Sequence, residues 1–311
     1  MVTIAMCTHN SELSVASSIQ SLLRQNYIDW KLYIVDAKSN DQTISICRKF
    51  QAIDSRITVI EKNYQQSWNL SVKEVLELAD SEFFFILDGD DYISPDYLEK
   101  LLPAIESTKS IGAYGKNITI DKSGRIYYLH ISNNKRFYFT SFHNSLSRLS
   151  CALITPESLG LVNILYSVWK TQILKELSTQ HNVFSEARGW PGDYDRKFIL
   201  DCLERGPIAS VKGPKIFRRL KFDVPKTAIE DKYFNFNRMG RFFLTTIFTL
   251  LELLRKKPPY QTIFSWARSK PSRSIYILFY CLRIAVWFFG SSLTLILSVP
   301  SRWRKKLSLL K

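Results

Sequence analysis

The first ninety residues alternate short apolar runs with segments of helical period, and that alternation leaves few folds open. Apolar runs sit at Val2–Cys7, Leu32–Val35, Ile57–Ile60 and Phe83–Leu87. Between them, Leu13–Leu23, Thr43–Phe50 and Leu70–Leu78 carry apolar residues three and four apart, the spacing of one buried helix face. Strand–helix–strand units of this length need crossover connections, so they predict a mostly parallel, open, Rossmann-like α/β sheet. Such sheets bind ligands beyond the carboxyl ends of their strands. The segments to read are therefore Thr8-His9-Asn10, Asp36-Ala37-Lys38-Ser39 and Asp88-Gly89-Asp90-Asp91.

Further along, Pro95 predicts the first turn of a helix over Asp96–Ile105. Ile111–Ile120 reads as a strand, and Asp121-Lys122-Ser123-Gly124 as a turn into Arg125–Leu129. Asn133–Arg148 is polar and aromatic without a period and predicts a loop over the site. Tyr166–Leu177 and Asp195–Arg205 predict helices, the second ended by Gly206-Pro207.

Charge divides the chain. Up to Val211 there are 22 basic and 24 acidic residues; after it there are 21 basic and four acidic. The organisation expected is a near-neutral domain over 1–225 and a basic, apolar, helical region over 226–311. Phe242–Leu254 is apolar, and Ile275–Val299 carries one charge, Arg283, before Arg302, Arg304, Lys305 and Lys306. At about 1.5 Å per residue the second run is long enough for a bilayer core of about 30 Å. Arg283, however, leaves only Ile284–Val299 uncharged. An interfacial helix with its cations on anionic headgroups, a spanning helix, and a helix packed on the domain or in an oligomer all remain open. The first two put the catalytic part on the cytoplasmic face of the membrane. Because the basic residues flank apolar runs and form no polar stripe, nucleic acid is not an expected partner. Five cysteines without a CxxC pair give no disulfide or zinc framework. With no signal-like opening segment, a cytoplasmic location is expected.

The acids ending Phe83–Asp91 carry the strongest chemical signal. Three carboxylates after an apolar strand are costly unless a cation or hydrogen-bond donors balance them. Hard oxygen donors suit Mg²⁺ or Mn²⁺, and such an ion would neutralise charge building on a leaving diphosphate. The plainer reading is a solvated acidic turn capping the helix at Pro95.

Thr8-His9-Asn10 after the first strand, Asp36–Asp41 after the second, Asn63–Asn69 before the third helix, and Phe83–Leu98 together resemble family 2 glycosyltransferases of the GT-A fold. The resemblance covers roughly 1–220. It implies an inverting, metal-assisted transfer of a sugar from a nucleotide-diphosphate sugar, UDP-linked by expectation, to a glycan or lipid-linked acceptor. It places Thr8 and Asn10 against the nucleoside and has Asp36 accept from the base N–H. It puts Asp88 and Gly89 at the ribose or metal-bound water, and makes Asp90 a metal ligand, with Asp88 the second candidate. Asp91 is the helix-side acid, which could serve only as a cap. Ser39 and Asn69 are donor-side candidates; N-capping the helix at Thr43 is the alternative for Ser39 and Asp41, and a water-satisfied helix-face amide is the alternative for Asn69.

Trp190–Gly206 resembles the acceptor-side segment of that family. There a carboxylate takes the acceptor hydroxyl proton; Asp193 is the matching residue and Asp195 the runner-up, with a helix N-cap as the other role for Asp193. Arg218 and Arg219 match a position where a basic residue meets the diphosphate, or else form a solvated basic face. The chain departs from the family at Ala37-Lys38, where Asp-Gly is usual, and at Gly192, where an acid is usual. Those departures keep a second reading open, a catalytically degenerate sugar-nucleotide or glycan-binding module. A nucleotidyltransferase also uses carboxylates and Mg²⁺, but it needs a glycine-rich phosphate loop that Thr8–Ser11 lacks.

Overall fold

The computed structural model of the chain describes residues 1–126, 138–154, 161–181, 184 and 193–220. The basic region from 226 onward lies outside them, as do Trp190 and residues 127–129. Nearly all the described residues belong to one compact unit, formed by Met1–Ala152 and Leu159–Glu230.

The four apolar runs form β1 (Val2–Thr8), β2 (Trp30–Asp36), β3 (Ile57–Glu61) and β4 (Phe83–Ile86), linked by α1 (Val15–Leu23), α2 (Thr43–Ile53) and α3 (Trp68–Leu78). They pair parallel in the order β3-β2-β1-β4. β4 is buried along its whole length and β1 at every residue but Cys7. That burial explains why these strands read as unbroken apolar runs without alternation. The helices instead show the expected one-sided burial: Val15, Ile19 and Leu22 on α1, Val72, Val75 and Leu76 on α3.

After β4 come β5 (Tyr92–Ile93), α4 (Tyr97–Ser107), β6 (Gly112–Ile120), α5 (Ser145–Ile154), β7 (Val168–Lys170), α6 (Thr171–His181), α7 (Asp193–Arg205) and β8 (Ile208–Arg219). Here the mostly parallel expectation gives way to a mixed sheet of order β3-β2-β1-β4-β7-β6-β8-β5. β7 is antiparallel to both β4 and β6, β8 is parallel to β6, and β5 is antiparallel to β8.

Two local expectations are corrected. The stretch read as a loop over Asn133–Arg148 contains a 3-10 turn at Tyr138–Ser141 and the start of α5. Arg148 is buried, its guanidinium donating to the carbonyls of Leu203, Phe142 and His143. The stretch read as one helix over Tyr166–Leu177 is a 3-10 turn (Leu161–Tyr166), then β7, then α6. α4 closes as a Schellman motif: the Lys109 and Ser110 amides reach back to Glu106 and Ile105, with Lys109 at φ 52°. Among the described residues no helix is long and apolar enough to cross a membrane.

Candidate active site

The chain passes from β1 outward through β2 and β3, then returns to lay β4 on the other side of β1. The strand order therefore reverses between β1 and β4, and the crevice at their carboxyl ends is the topological switch point where open α/β sheets take ligands. Thr8 ends β1 there, and Asp88-Gly89-Asp90-Asp91 follows β4. Gly89 presses against the end of β1: its amide donates to the Cys7 carbonyl at 3.3 Å. A Cβ at Gly89 would stand 2.6 Å from Thr8 Cγ2, so only glycine fits between these acids.

The loops after β1 and β2 are tied together through Asp36. It is fully buried; Oδ1 accepts from Thr8 Oγ1 (2.9 Å) and Ser39 Oγ (2.5 Å), and Oδ2 accepts from the Ser39 amide (2.7 Å). Asn10 and Lys38 hold left-handed conformations at φ 50° and 60°. The Asn10 amide donates to Ser39 Oγ, and Asn10 Oδ1 accepts from the Asn40 amide. Ser39 thus serves Asp36 and Asn10 and does not cap α2. Asp41 accepts from both the amide and the hydroxyl of Thr43, the first residue of α2. Desolvation opposes ionisation of Asp41, yet the hydrogen bonds from Thr43 and the Glu12 amide bring its carboxyl below the ordinary value. Asn69 is buried in the first turn of α3.

Strand register assembles the acidic half. β7 runs antiparallel to β4 with Val168 opposite Phe85, which brings Tyr166, just before β7, beside the residues just after β4. Tyr166 Oη donates to Asp88 Oδ2 at 2.9 Å, and Trp68 Nε1, at the start of α3, donates to Asp88 Oδ1 at 2.7 Å. β5 runs antiparallel to β8 with Tyr92 opposite Phe217, their rings stacked at 4.6 Å. One step along that register sets Asp91 against Arg218. Arg218 Nε lies 3.5 Å from Asp91 Oδ2, close enough for an ion pair but outside hydrogen-bond geometry. Its other nitrogens donate to Asn163 Oδ1 (2.6 Å) and Tyr166 Oη (3.0 Å). Arg219 meets the cluster through backbone groups. Its amide donates to Asp91 Oδ1, and its guanidinium to the carbonyls of Asp90, Asp121 and Lys122. Asp91 therefore ties β5 to β8 and does not cap the turn at Pro95.

Asp88, Asp90 and Asp91 each offer an oxygen within 4.8 Å of the others. Burial, opposed by Arg218 and reinforced by Asp90 and Asp88, pushes the Asp91 carboxyl up to about 8. Arg218 is held cationic against its own desolvation by Tyr166 and the three acids. On α7 the two base candidates differ. Asp193 opens the helix, and its side chain lies outside the described residues. Asp195 is part-buried; desolvation raises its carboxyl, Arg218 pulls it down and Asp88 pushes it up, so it shares the electrostatic field of the acidic cluster.

Trp68, Asn163 and Tyr166 are site residues that the sequence reading missed. Trp68 stood in a quoted motif, where its position just before Asn69 was the available signal. Tyr166 and Asn163 depend on antiparallel pairings that no local pattern announces.

A profile of the family described as Glycosyl transferase family 2 matches residues 3–162, just over half of the chain. An uncharacterized glycosyltransferase of Haemophilus influenzae is 27% identical over 120 residues, 39% of this chain and 37% of that protein. The UDP-Glc:alpha-D-GlcNAc-diphosphoundecaprenol beta-1,3-glucosyltransferase WfgD of Escherichia coli is 32% identical over 99 residues, 32% of this chain and 38% of its own. The chain thus spans well under half the length of these two relatives. In fold it is similar to residues 1–349 of S. aureus TarS, crystallised with UDP-GlcNAc, at a TM-score of 0.54 and 16% identity, covering 86% of this chain and 70% of that one.

Proposed function

From the membership of this chain in glycosyl transferase family 2, we propose that it transfers a sugar from a UDP-linked donor to a glycan or lipid-linked acceptor with inversion. The observation that carries the reading is the acidic cluster at the β1–β4 switch point, faced by the half-buried Arg218. The UDP-GlcNAc complex of TarS supports the donor class. The diphosphoundecaprenol-linked GlcNAc that WfgD glucosylates supports an acceptor built on a lipid diphosphate.

The donor set fits a divalent ion. Three hard carboxylates converge, and a cation would relieve the repulsion that Asp90 and Asp88 add to the burial of Asp91. Asp90 and Asp88 would hold Mg²⁺ or Mn²⁺, which supplies charge neutralisation for a departing diphosphate. The chain's own groups do the rest. Thr8, Asn10, Asp36 and Ser39 form the nucleoside edge, with Asp36 the acceptor proposed for a base N–H. Arg218 adds a fixed positive charge beside the acids. A carboxylate on α7 takes the acceptor proton; Asp195, whose carboxyl is raised above its ordinary value by burial with Arg218 opposing, is one candidate and Asp193 is the other.

A thermal-shift panel of nucleotide sugars with and without Mn²⁺ tests the donor, because a ligand bound only by the folded state raises its stability. No shift with any UDP-sugar would remove the reading. Asp90→Ala should lose metal-dependent transfer. Asp195→Asn should keep donor binding and lose roughly 10²-fold or more in kcat; a normal rate would hand the role to Asp193. The region 226–311 is proposed to hold the enzyme at the cytoplasmic face of the membrane.

A further inference from the structure

Asp88 is held from both sides by hydrogen-bond donors of different kinds. The Trp68 indole can only donate, and it reaches Oδ1 at 2.7 Å from the first residue of α3. The Tyr166 hydroxyl reaches Oδ2 at 2.9 Å while accepting from Arg218 Nη2 at 3.0 Å. The Arg218 guanidinium also lies 4.2 Å above the Tyr166 ring centre. A hydroxyl that accepts from a cation is a stronger donor to its own acceptor, so the positive charge on β8 is relayed through Tyr166 to the first acid of the cluster. Together the two donors fix its plane from two unrelated elements, α3 and the turn before β7.

We propose that Trp68 and Tyr166 are positioning residues that hold the Asp88 carboxylate in a fixed orientation, so that Asp88 and Asp90 meet a divalent ion as a preformed pair. The inference rests on the metal-assisted reading above. Carboxylates that ligate metals are commonly held this way by outer partners, and losing one partner typically weakens metal binding about 10- to 100-fold.

Mn²⁺ affinity measured by electron paramagnetic resonance without nucleotide tests this, with folding checked by thermal unfolding. Trp68→Phe, a part-exposed site, and Tyr166→Phe, a buried one, should each weaken Mn²⁺ binding about 10-fold. In an Asp88→Asn background the same changes should add less than about twofold, because the group they position is gone. The kcat/KM for donor should fall with the metal affinity and recover at saturating Mn²⁺, which a merely structural role would not produce. Folded Trp68→Phe protein with unchanged Mn²⁺ affinity, or equal losses with and without Asp88, would overturn the positioning role alone. Wild-type protein that binds no Mn²⁺ with or without UDP would overturn the metal reading and this inference with it.

Discussion

Lys38 shows what a single residue costs here. It sits at φ 60° in the loop that Asp36 anchors, a conformation that strains an L residue by roughly 1 kcal/mol and glycine hardly at all. Lys38→Gly is expected to stabilise the protein by about 1 kcal/mol, a rise of roughly 2–4 °C in Tm, measured by calorimetry. A lower affinity for UDP-sugar in the same variant would mean that the ammonium serves the donor. Asp91 gives a prediction in pH. An unfolded aspartate ionises near 4, whereas Asp91 is pushed up to about 8 by burial, with Arg218 pulling it down and Asp90 and Asp88 adding to the rise. Between those values the native state binds the extra proton, so stability in metal-free buffer should fall as pH rises. Asp91→Asn keeps an acceptor for the Arg219 amide and should flatten that slope. Equal slopes in thermal unfolding from about pH 5 to 9 would mean that Asp91 stays ionised beside Arg218.

At the scale of elements, the chain after β4 lies against the end of β1 with no room for a Cβ at Gly89. Gly89→Ala would push a methyl to 2.6 Å from Thr8 Cγ2, and overpacking of that kind costs about 1–3 kcal/mol. Thr8→Ser removes the opposing methyl and should recover much of the loss in the double variant, read as Tm and as UDP affinity. The same scale shows why part of the fold was legible. β1 to β4 announced themselves because parallel strands buried on both faces must be apolar throughout. β7 has three residues, Val168–Lys170, too few to break the helical spacing of Tyr166–Leu177. α5 buries Arg148 through carbonyls on other elements, so its sequence resembled a polar loop. For the site, the acids were legible because they follow a run that must be a strand. Their partners Tyr166 and Asn163 were not, since antiparallel register across 78 residues, as between Asp88 and Tyr166, leaves no local trace, whereas Trp68 stood beside Asn69 in a segment already singled out.

For the whole molecule the uneven charge decides the most. The catalytic unit is close to neutral, while the residues after Val211 carry 21 basic side chains against four acidic ones. Such a surplus draws a protein to anionic lipid at about 1 kcal/mol per cation near the surface. Deleting 226–311 should therefore shift the protein from the membrane pellet to the supernatant and abolish sedimentation with anionic vesicles. Full-length protein that stays in the supernatant would remove the membrane proposal.

The antiparallel pairing of β5 with β8 has a consequence for recombination between relatives. The stretch matched by the family profile stops at residue 162, yet the guanidinium that offsets the acids arrives 56 residues later, on β8, the last strand among the described residues. A hybrid joined at the profile boundary would inherit its carboxylates from one parent and their counter-charge from the other. Crossovers placed after Leu220 should yield working hybrids, and those placed near 162 should work only where the donor of the second half brings its own arginine to the partner position of Asp91.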